Sequence, residues 1–261
     1  MSFMKLLKGY SGYRERMETM FRPIYEPRTR AKEYSDLAIN IYNGCNHGCW
    51  YCYAKKMHDR YKPNENFADV KPRDGIVEAV KRQLSGGKHK DKKIMLCFMC
   101  DPYPANIDTT ATREVIMAIK EAGAHVQILT KGGDRAKRDF DLLDSGDSFG
   151  ITLSCLSADI AIKAEPNAGN PLERLNSLID ISRRGIPTWV SFEPVIEPLG
   201  VLELIENLPA MVSNETLLKI GKLNHYQNDT NWKKFGIEAE RICKENGWNY
   251  YIKEDLRELM L

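Results

Sequence analysis

Three cysteines lie close together in the sequence, Cys45, Cys49 and Cys52, with three and then two residues between them. They follow an apolar run, Leu37–Tyr42, that is typical of a buried strand. Structural zinc takes four protein ligands. A cubane iron–sulfur cluster held by three thiolates instead has one iron free to bind a small molecule. The spacing therefore favours a 4Fe-4S cluster with an open iron at the carboxyl end of a strand.

A zinc site is the alternative interpretation of the same cysteines. Its fourth ligand would come from His47, His58, Cys97 or Cys100. Zinc sites usually contain paired C-x2-C units, which this spacing lacks. We therefore prefer the iron–sulfur interpretation.

Composition limits the class of protein. The chain has 261 residues, 43% of them hydrophobic, which suits one large domain or two small ones. A net charge of +2 gives no global signal for nucleic acid. Seven cysteines, an odd number, do not form a secreted disulfide framework, and free thiols with an oxygen-labile cluster predict a cytoplasmic protein. We expect no signal peptide in residues 1–9, and no apolar run approaches the roughly 20 residues that span a membrane.

Strand and helix patterns alternate from residue 37 onwards, which indicates a parallel sheet with right-handed crossovers. Six units are too few to close an eight-stranded barrel. We therefore predict an α/β fold, a partial (β/α)6 TIM-like barrel over residues 37–261 with a C-terminal helical tail, preceded by an N-terminal extension, residues 1–36. A short additional strand is expected at Tyr250–Ile252. The six predicted strands are Leu37–Tyr42, Ile94–Met99, His125–Leu129, Gly150–Ser154, Thr188–Phe192 and Leu217–Ile220.

Polar residues follow each of these strands. The carboxyl ends of parallel strands lie at one end of a barrel, where active sites are found. We therefore expect one site built from Cys45–Cys52, Cys100–Asp101, Thr130–Lys131, Ser154–Cys155, Glu193 and Lys222–Asn224.

The extension, residues 1–36, mixes eight basic residues and five acidic ones with scattered aromatics. Basic and aromatic residues together can clamp a nucleic-acid strand. A strap packed over the barrel edge is the alternative, and we favour it because charge runs are usually solvated faces.

Several segments of the chain resemble the radical S-adenosylmethionine (SAM) superfamily, and in particular its spore photoproduct lyase-like branch, often called DNA repair photolyase. The resemblance runs from about residue 37 to about residue 225. The segments that carry it are Cys45–Tyr53, Cys100–Pro104, Leu129–Lys131, Arg138–Asp139 with Asp141–Leu143, Glu165–Pro166, Arg174–Leu175 and Glu193–Ile196.

The resemblance implies a 4Fe-4S cluster on Cys45, Cys49 and Cys52, with SAM chelated to the open iron. Tyr51 and Tyr53 match tyrosines that lie near SAM and relay a radical in the lyases. Tyr51 could equally pack against the cluster and exclude water.

The residues implied in SAM binding follow later strands. Cys100, Asp101 and Lys131 match binding positions, and the compact charge of a lysine can meet the SAM carboxylate. Ser154 matches a family hydroxyl more loosely. Glu193 could bind the SAM amine or ribose, or form a salt bridge with a lysine.

One position departs from the lyases. Their hydrogen-atom donor is a cysteine three residues before the strand-two aspartate, and here that position is Phe98. Cys100 and Cys155 are the candidate donors. Cys97 is three residues from Cys100 on the predicted strand, so we expect it to point to the opposite face and into the core.

The resemblance further implies reductive cleavage of SAM to a 5′-deoxyadenosyl radical, an electron donor such as flavodoxin or ferredoxin, and a substrate that loses hydrogen. A nucleic-acid base would need extrusion from its stack, with phosphate contacts from segments 28–32 and 88–93. A peptide or small metabolite is the alternative substrate. A non-catalytic iron–sulfur or zinc module is the alternative class.

Overall fold

The computed structural model describes residues 21–224, 226 and 228–261. Its strands, numbered in chain order, are β1 (Ile24–Tyr25), β2 (Ala38–Ile39), β3 (Tyr42–Asn43), β4 (Lys71–Pro72), β5 (Lys93–Leu96), β6 (His125–Thr130), β7 (Ser148–Thr152), β8 (Thr188–Phe192), β9 (Leu217–Ile220) and β10 (Asn249–Ile252). Its α-helices are α1 (Tyr53–Tyr61), α2 (Ile76–Leu84), α3 (Thr110–Glu121), α4 (Ala158–Ala164), α5 (Pro171–Ser182), α6 (Pro198–Asn207), α7 (Trp232–Glu245) and α8 (Glu254–Met260). Three 3₁₀ helices cover Thr29–Glu33, Gly133–Leu142 and Leu208–Ala210.

The main sheet has the strand order β1-β2-β5-β6-β7-β8-β9-β10. From β2 to β10 every neighbouring pair is parallel, and only β1 pairs antiparallel, with β2. The sheet is open, with β1 and β10 at its edges. The predicted α/β fold is confirmed, and the short strand expected near residue 250 is β10, the last parallel strand.

The first predicted strand, Leu37–Tyr42, is two strands instead. β2 joins the main sheet, whereas β3 pairs with β4 in a separate antiparallel ribbon. Asn40 lies between them, and its Oδ1 accepts hydrogen bonds from the backbone N–H groups of Phe98 and Met99 at 2.9 and 2.8 Å. A run of apolar residues does not reveal such a bend, because both halves are buried.

Two hydrophobic clusters occupy the two faces of the sheet. The larger one packs the helices against the outer face. The smaller one fills the inner face around Ala38, Met95 and Trp189, with partly buried residues such as Tyr34 and Phe98 packed against it. Side chains alternate between the two faces along each strand, which explains why Met95 points inward between Ile94 and Leu96.

The described part of the extension packs on the barrel. Its β1 pairs with β2, with Ile24 opposite Ile39. The following strap, residues 28–34, runs across the inner face, where Lys219 Nζ donates to the Glu33 carbonyl at 2.6 Å and Gln127 Nε2 donates to the Tyr34 carbonyl at 3.0 Å. At the far edge the Tyr251 hydroxyl donates to Glu33 Oε2 at 3.0 Å. The division at residue 36 stays a prediction, and residues 1–20 lie outside the described part of the chain.

Among the helices that the structure describes, none has the length and apolar character needed to cross a membrane.

Candidate functional site

A cavity of about 580 Å³ lies at the carboxyl ends of the strands. Sites for small ligands typically have volumes of roughly 300–1,000 Å³. The predicted site residues that line it are Cys45, Cys49, Tyr51, Cys52, Tyr53, Cys100, Asp101, Thr130, Lys131, Glu193, Lys222 and Asn224. Ser154 and Cys155 are fully buried and are not among the residues that line this cavity.

The cysteine loop owes its course to two glycines with positive φ angles. Gly44 has φ +80°, and a Cβ there would lie 2.4 Å from the carbonyl oxygen of Phe67. Gly48 has φ +72°, and a Cβ would lie 2.9 Å from Pro166 Cγ. L-residues with side chains rarely adopt this conformation. The glycines therefore let the loop turn sharply while touching two neighbouring segments.

Polar side chains fix the loop to the rest of the barrel. Asn46 exchanges two hydrogen bonds with the backbone of Ala105, at 2.6 and 3.0 Å. Asn167 Nδ2 donates to the Asn46 carbonyl at 2.8 Å. His47 is buried, with Nδ1 3.6 Å from the Asp101 carboxylate and Nε2 3.0 Å from the Arg135 guanidinium. These contacts engage His47 and support a structural role for it.

The three cysteines face one cavity, which all of them line. A single structural zinc would need a fourth protein ligand. His47, one of the candidates for that ligand, is already engaged by Asp101 and Arg135. Three cavity-facing thiols fit a cluster that has one iron without a protein ligand.

The surroundings of Cys45 and Cys49 disfavour ionisation of their thiols. Burial raises the pKa of the Cys49 thiol to about 11, and the Lys131 charge opposes this rise. Burial likewise raises the pKa of Cys45 well above its usual range, with Asp101 adding to it. Buried thiolates need positive charge beside them, which bound iron supplies.

Behind the loop lies a buried network centred on Glu165. Its carboxylate accepts hydrogen bonds from the Tyr51 hydroxyl, from the Ser154 hydroxyl at 2.8 Å and from the Arg174 guanidinium. Arg174 also donates to the carbonyls of Gly169 and Thr152 at 2.6 and 3.0 Å. Burial alone would raise the pKa of Glu165, but Arg174 and Lys131 hold it below its ordinary value.

Sequence reasoning assigned no role to Glu165 or Arg174, although both lie in segments that carry the resemblance. A signal was present, because Arg174 lies beside Leu175 and one turn before Leu178 on the buried face of α5. An arginine among such residues is buried only when a partner compensates its charge.

Asp101 positions its neighbours. Its carboxylate accepts hydrogen bonds from the backbone N–H of Tyr103 at 2.8 Å, the Thr130 hydroxyl at 2.6 Å and the backbone N–H of Lys131 at 2.9 Å. Burial opposes its ionisation, yet His47 and these donors lower its pKa. Asp101 therefore orients the loop that carries Lys131, whose Nζ lies 5.7 Å from the centre of the Tyr51 ring.

Glu193, which follows β8, also lines the cavity. It accepts hydrogen bonds from the Tyr34 hydroxyl at 2.6 Å, from Asn224 Nδ2 at 2.9 Å and from Lys253 Nζ. The salt bridge with a lysine considered for this residue is therefore present.

Cys97 and Cys100 lie differently from the sequence expectation. β5 ends at Leu96, and Cys97 has φ +66°, so face alternation does not extend to these residues. Both cysteines line the cavity. Burial, followed by a hydrogen bond with the Cys100 side chain, raises the pKa of Cys97. The expectation that the two point to opposite faces was wrong, although Cys97 is buried as predicted.

Tyr53 is the first residue of α1 and is 45% exposed. Its hydroxyl donates to the carbonyl of Phe98. Tyr53 lines the cavity and links the cysteine loop to Phe98.

The fold is similar to solved radical SAM structures. Spore photoproduct lyase complexed with dinucleoside spore photoproduct aligns with a TM-score of 0.65 and 13% identity, covering 87% of this chain and 79% of that one. SuiB of Streptococcus suis bound to S-adenosylmethionine aligns with a TM-score of 0.60 and 11% identity, covering 82% and 46%. At these identities the likeness concerns the fold.

Three sequence relatives align with this chain over half to about two thirds of their own length. The chain is 28% identical over 187 residues to Uncharacterized protein MJ0683 of Methanocaldococcus jannaschii, covering 70% of this chain and 68% of the relative. It is 28% identical over 201 residues to Uncharacterized protein ORF301 of Acidianus two-tailed virus, covering 70% and 64%. It is 25% identical over 170 residues to Uncharacterized protein Mb2609c of Mycobacterium bovis, covering 62% and 50%.

The family model described as the Radical SAM superfamily matches residues 39–198, which include the cysteine loop, the loop carrying Lys131 and the Glu165 network. Because this match spans more than half of the chain, the protein belongs to the Radical SAM superfamily, whose members use the 4Fe-4S cluster and S-adenosylmethionine that the sequence predicts.

Proposed function

We propose that the protein is a radical SAM enzyme that abstracts hydrogen from a substrate held in the barrel cavity. The observation that carries this proposal is the placement of Cys45, Cys49 and Cys52 on the wall of the cavity lined also by Lys131. When bound, a reduced cluster and SAM supply a 5′-deoxyadenosyl radical, the species that attacks an unactivated C–H bond. The protein supplies position and exclusion of water.

Each side chain has a proposed task. The three cysteines hold the cluster, and Lys131 binds the SAM carboxylate. Asp101 positions Lys131 through the backbone, whereas Glu165 fixes the Tyr51 phenol beside the cysteine loop. Apolar residues on the inner face, among them Met95 and Leu129, keep water from the reacting centre.

We propose Cys100 as the hydrogen-atom donor that ends the reaction. Its side chain lines the cavity, whereas Cys155 does not. Tyr53 lines the cavity and is half exposed, so we propose it, rather than the buried Tyr51, as the tyrosine that exchanges hydrogen with a bound substrate.

For the substrate we propose a nucleic-acid base, in a reaction of the spore photoproduct lyase type. Likeness to the lyase over 87% of this chain supports this choice. A peptide is the second candidate, supported by likeness to SuiB, which has been crystallised with its precursor peptide SuiA. The reducing conditions that such a cluster needs favour a cytoplasmic setting and an electron donor of the flavodoxin or ferredoxin class.

Anaerobic reconstitution with iron and sulfide tests the enzyme proposal. We expect a brown protein that converts SAM to 5′-deoxyadenosine when dithionite is added. A brown protein without this product would instead indicate a non-catalytic iron–sulfur module. DNA that contains spore photoproduct deuterated at its ring and bridge carbons then tests the substrate, because abstraction from any of these carbons would transfer deuterium into 5′-deoxyadenosine.

Two substitutions separate cluster binding from SAM binding. Cys49→Ala should abolish the cluster, measured as iron per chain and visible absorbance. Lys131→Ala should retain the cluster and weaken SAM binding by about tenfold, as expected for the loss of one charge-assisted contact. Unchanged SAM affinity in Lys131→Ala would remove Lys131 from the proposed site.

A further inference from the structure

The residues that follow the cysteine loop are unusually basic. The segment from 53 to 73 contains six basic and three acidic residues, a net charge of +3. The whole chain carries only +2, so the remainder sums to −1. The basic residues are Lys55, Lys56, Arg60, Lys62, Lys71 and Arg73.

This segment touches the cysteine loop at two points. Cys52 caps helix α1, and its Sγ accepts a hydrogen bond from the backbone N–H of Lys55 at 3.4 Å. Further along, the carbonyl of Phe67 accepts a hydrogen bond from the backbone N–H of Cys45 at 2.8 Å. The segment therefore lies against the proposed cluster ligands.

Four of its six cations form no ion pair with the described residues, namely Lys56, Arg60, Lys71 and Arg73, and the first two of these lie on helix α1. Lys55 pairs with Asp59 at 2.5 Å and Lys62 with Glu65 at 2.8 Å. Within the described part of the chain, Lys56 and Arg60 form no ion pair, and neither lines the cavity. Both are exposed and lie one helical turn apart, so they present two adjacent positive charges to solvent.

Aromatic side chains lie beside these charges. Trp50 is 46% and Tyr61 is 73% exposed. Tyr226 orders this surface, because its ring lies 4.6 Å edge-on from Trp50, its hydroxyl donates to the Trp50 carbonyl at 2.9 Å, and Lys56 Nζ sits 3.8 Å from its centre. Tryptophan, tyrosine and arginine are the residues that contribute most to protein interfaces.

We propose that this surface, formed by Trp50, Lys56, Arg60, Tyr61 and Tyr226, docks an acidic one-electron carrier protein. The proposal rests on the proposed function, which requires an electron at the cysteine loop. In the transfer the carrier loses one electron, the cluster gains it, and no bond is made or broken. An acidic partner fits because complementary charge speeds encounter and fixes orientation in small, transient redox complexes.

The position of the surface favours a redox partner over nucleic acid. Lys56 and Arg60 lie outside the cavity lining, on a helix whose first residue follows the cluster ligand Cys52. A substrate must enter the cavity, whereas an electron carrier needs only to come close to the cysteine sulfurs. The surface meets the second requirement.

The test uses the double variant Lys56→Glu/Arg60→Glu with flavodoxin, an acidic flavin protein, as the probe. We expect flavodoxin affinity, measured by calorimetry at low ionic strength, to fall at least about tenfold. The flavodoxin-supported rate of 5′-deoxyadenosine formation should fall similarly, whereas the dithionite-supported rate stays unchanged. The difference from the wild-type chain should shrink as salt screens the charges.

A matched control is Lys234→Glu/Lys244→Glu on helix α7, which changes the net charge equally and should leave flavodoxin binding unchanged. Wild-type affinity in the Lys56→Glu/Arg60→Glu variant would overturn the proposal. So would loss of single-stranded oligonucleotide binding with flavodoxin binding intact, which would mark a nucleic-acid surface. If the wild-type chain forms no 5′-deoxyadenosine even with dithionite, the proposed function fails, while the calorimetry still decides whether this surface binds the carrier.

Discussion

The Glu165 carboxylate joins three separate parts of the site. It receives hydrogen bonds from Tyr51 of the cysteine loop, Ser154 after β7 and Arg174 of α5. Its side chain is 0% exposed and that of Arg174 is 1% exposed. In such surroundings an ion pair is costly to form and still more costly to break.

Glu165→Gln should therefore destabilise the protein strongly. Removing one member of a buried ion pair leaves the other charge uncompensated and costs about 3–5 kcal/mol. Urea unfolding measures the loss. Glu238→Gln, which removes the exposed ion pair with Arg241 on α7, is the control and should change stability little. Equal effects of the two substitutions would mean that the Glu165 pair contributes no more than a surface pair.

At the scale of elements, the backbone course of the cysteine loop depends on a glycine at position 48. Gly48 has φ +72° and would bring a Cβ to 2.9 Å from Pro166, whereas Gly185 has a similar φ of +76° with no atom within 4 Å of its Cβ position. The two positions share backbone strain and differ in packing.

Comparison of Gly48→Ala with Gly185→Ala separates these effects. Gly185→Ala should cost about 1 kcal/mol, from the strained conformation alone. Gly48→Ala should cost more, and it should also lower iron incorporation, because the loop must shift away from Pro166. Thermal unfolding and iron content per chain measure both. Full iron incorporation in Gly48→Ala would show that the loop tolerates the shift.

The strap and strand β9 meet at Lys219. Burial, followed by the charge of Lys253, lowers the pKa of Lys219 to about 8. The unfolded lysine titrates near 10.5. Between these values the unfolded chain binds more protons, so the contribution of Lys219 to stability rises with pH. The rise is up to about 3 kcal/mol.

Lys219→Met should remove this pH dependence. The stability of the wild-type protein relative to the variant should increase from pH about 8 to about 10. Other tyrosines and cysteines titrate in both proteins and cancel in the difference. Urea unfolding across this range measures it, and a constant difference would mean that Lys219 is charged in the folded protein throughout the range.

Helices and strands could be predicted where local residues reveal their burial or their ends. β8 and β9 occur at the predicted residues, because a short apolar run buried on both faces ends where polar residues begin. Helix α5 begins at Pro171 with an Asn170–Glu173 capping box, a pattern that is visible in the sequence. Helix α1 was not predicted, since its charged sequence has only Ala54 buried. The strap was expected at the barrel edge, but the contacts of Tyr34 inside the barrel depend on distant residues that no local pattern reports.

The site residues likewise fall into two groups, those that a local sequence pattern reports and those that only the folded chain brings together. Spacing singled out the cysteines as candidates, strand ends singled out Asp101, Lys131 and Glu193, and all of these residues line the cavity. The roles of Asp101 and Glu193 as hydrogen-bond acceptors were not visible, because their donors come from other strands and from the strap. The Glu165 network joins residues on three elements, and only the folded chain brings them together.

At the scale of the whole molecule, the strap bridges the two edges of an open sheet. It follows β1 at one edge and reaches β10 at the other through Glu33, which accepts from Tyr251. Between these edges Tyr34 hydrogen-bonds to Ser191 at 3.0 Å and to Glu193 at 2.6 Å, and its ring packs 5.9 Å from that of Trp189. Tyr34 is thus the central contact between strap and barrel.

Substitutions at Tyr34 should loosen both edge strands of the main sheet, β1 and β10, together. Tyr34→Phe loses the hydrogen bonds and should cost about 1–3 kcal/mol, whereas Tyr34→Ala also loses the ring packing and should cost about 3–5 kcal/mol. Amide hydrogen exchange should accelerate in the strap, β1 and β10 of Tyr34→Ala. Phe140→Ala is the matched control, because it removes a buried ring 5.0 Å from Phe149 in the outer core. If Phe140→Ala accelerated exchange in the strap equally, the opening would follow global stability, and the strap would not be a separate closure of the barrel.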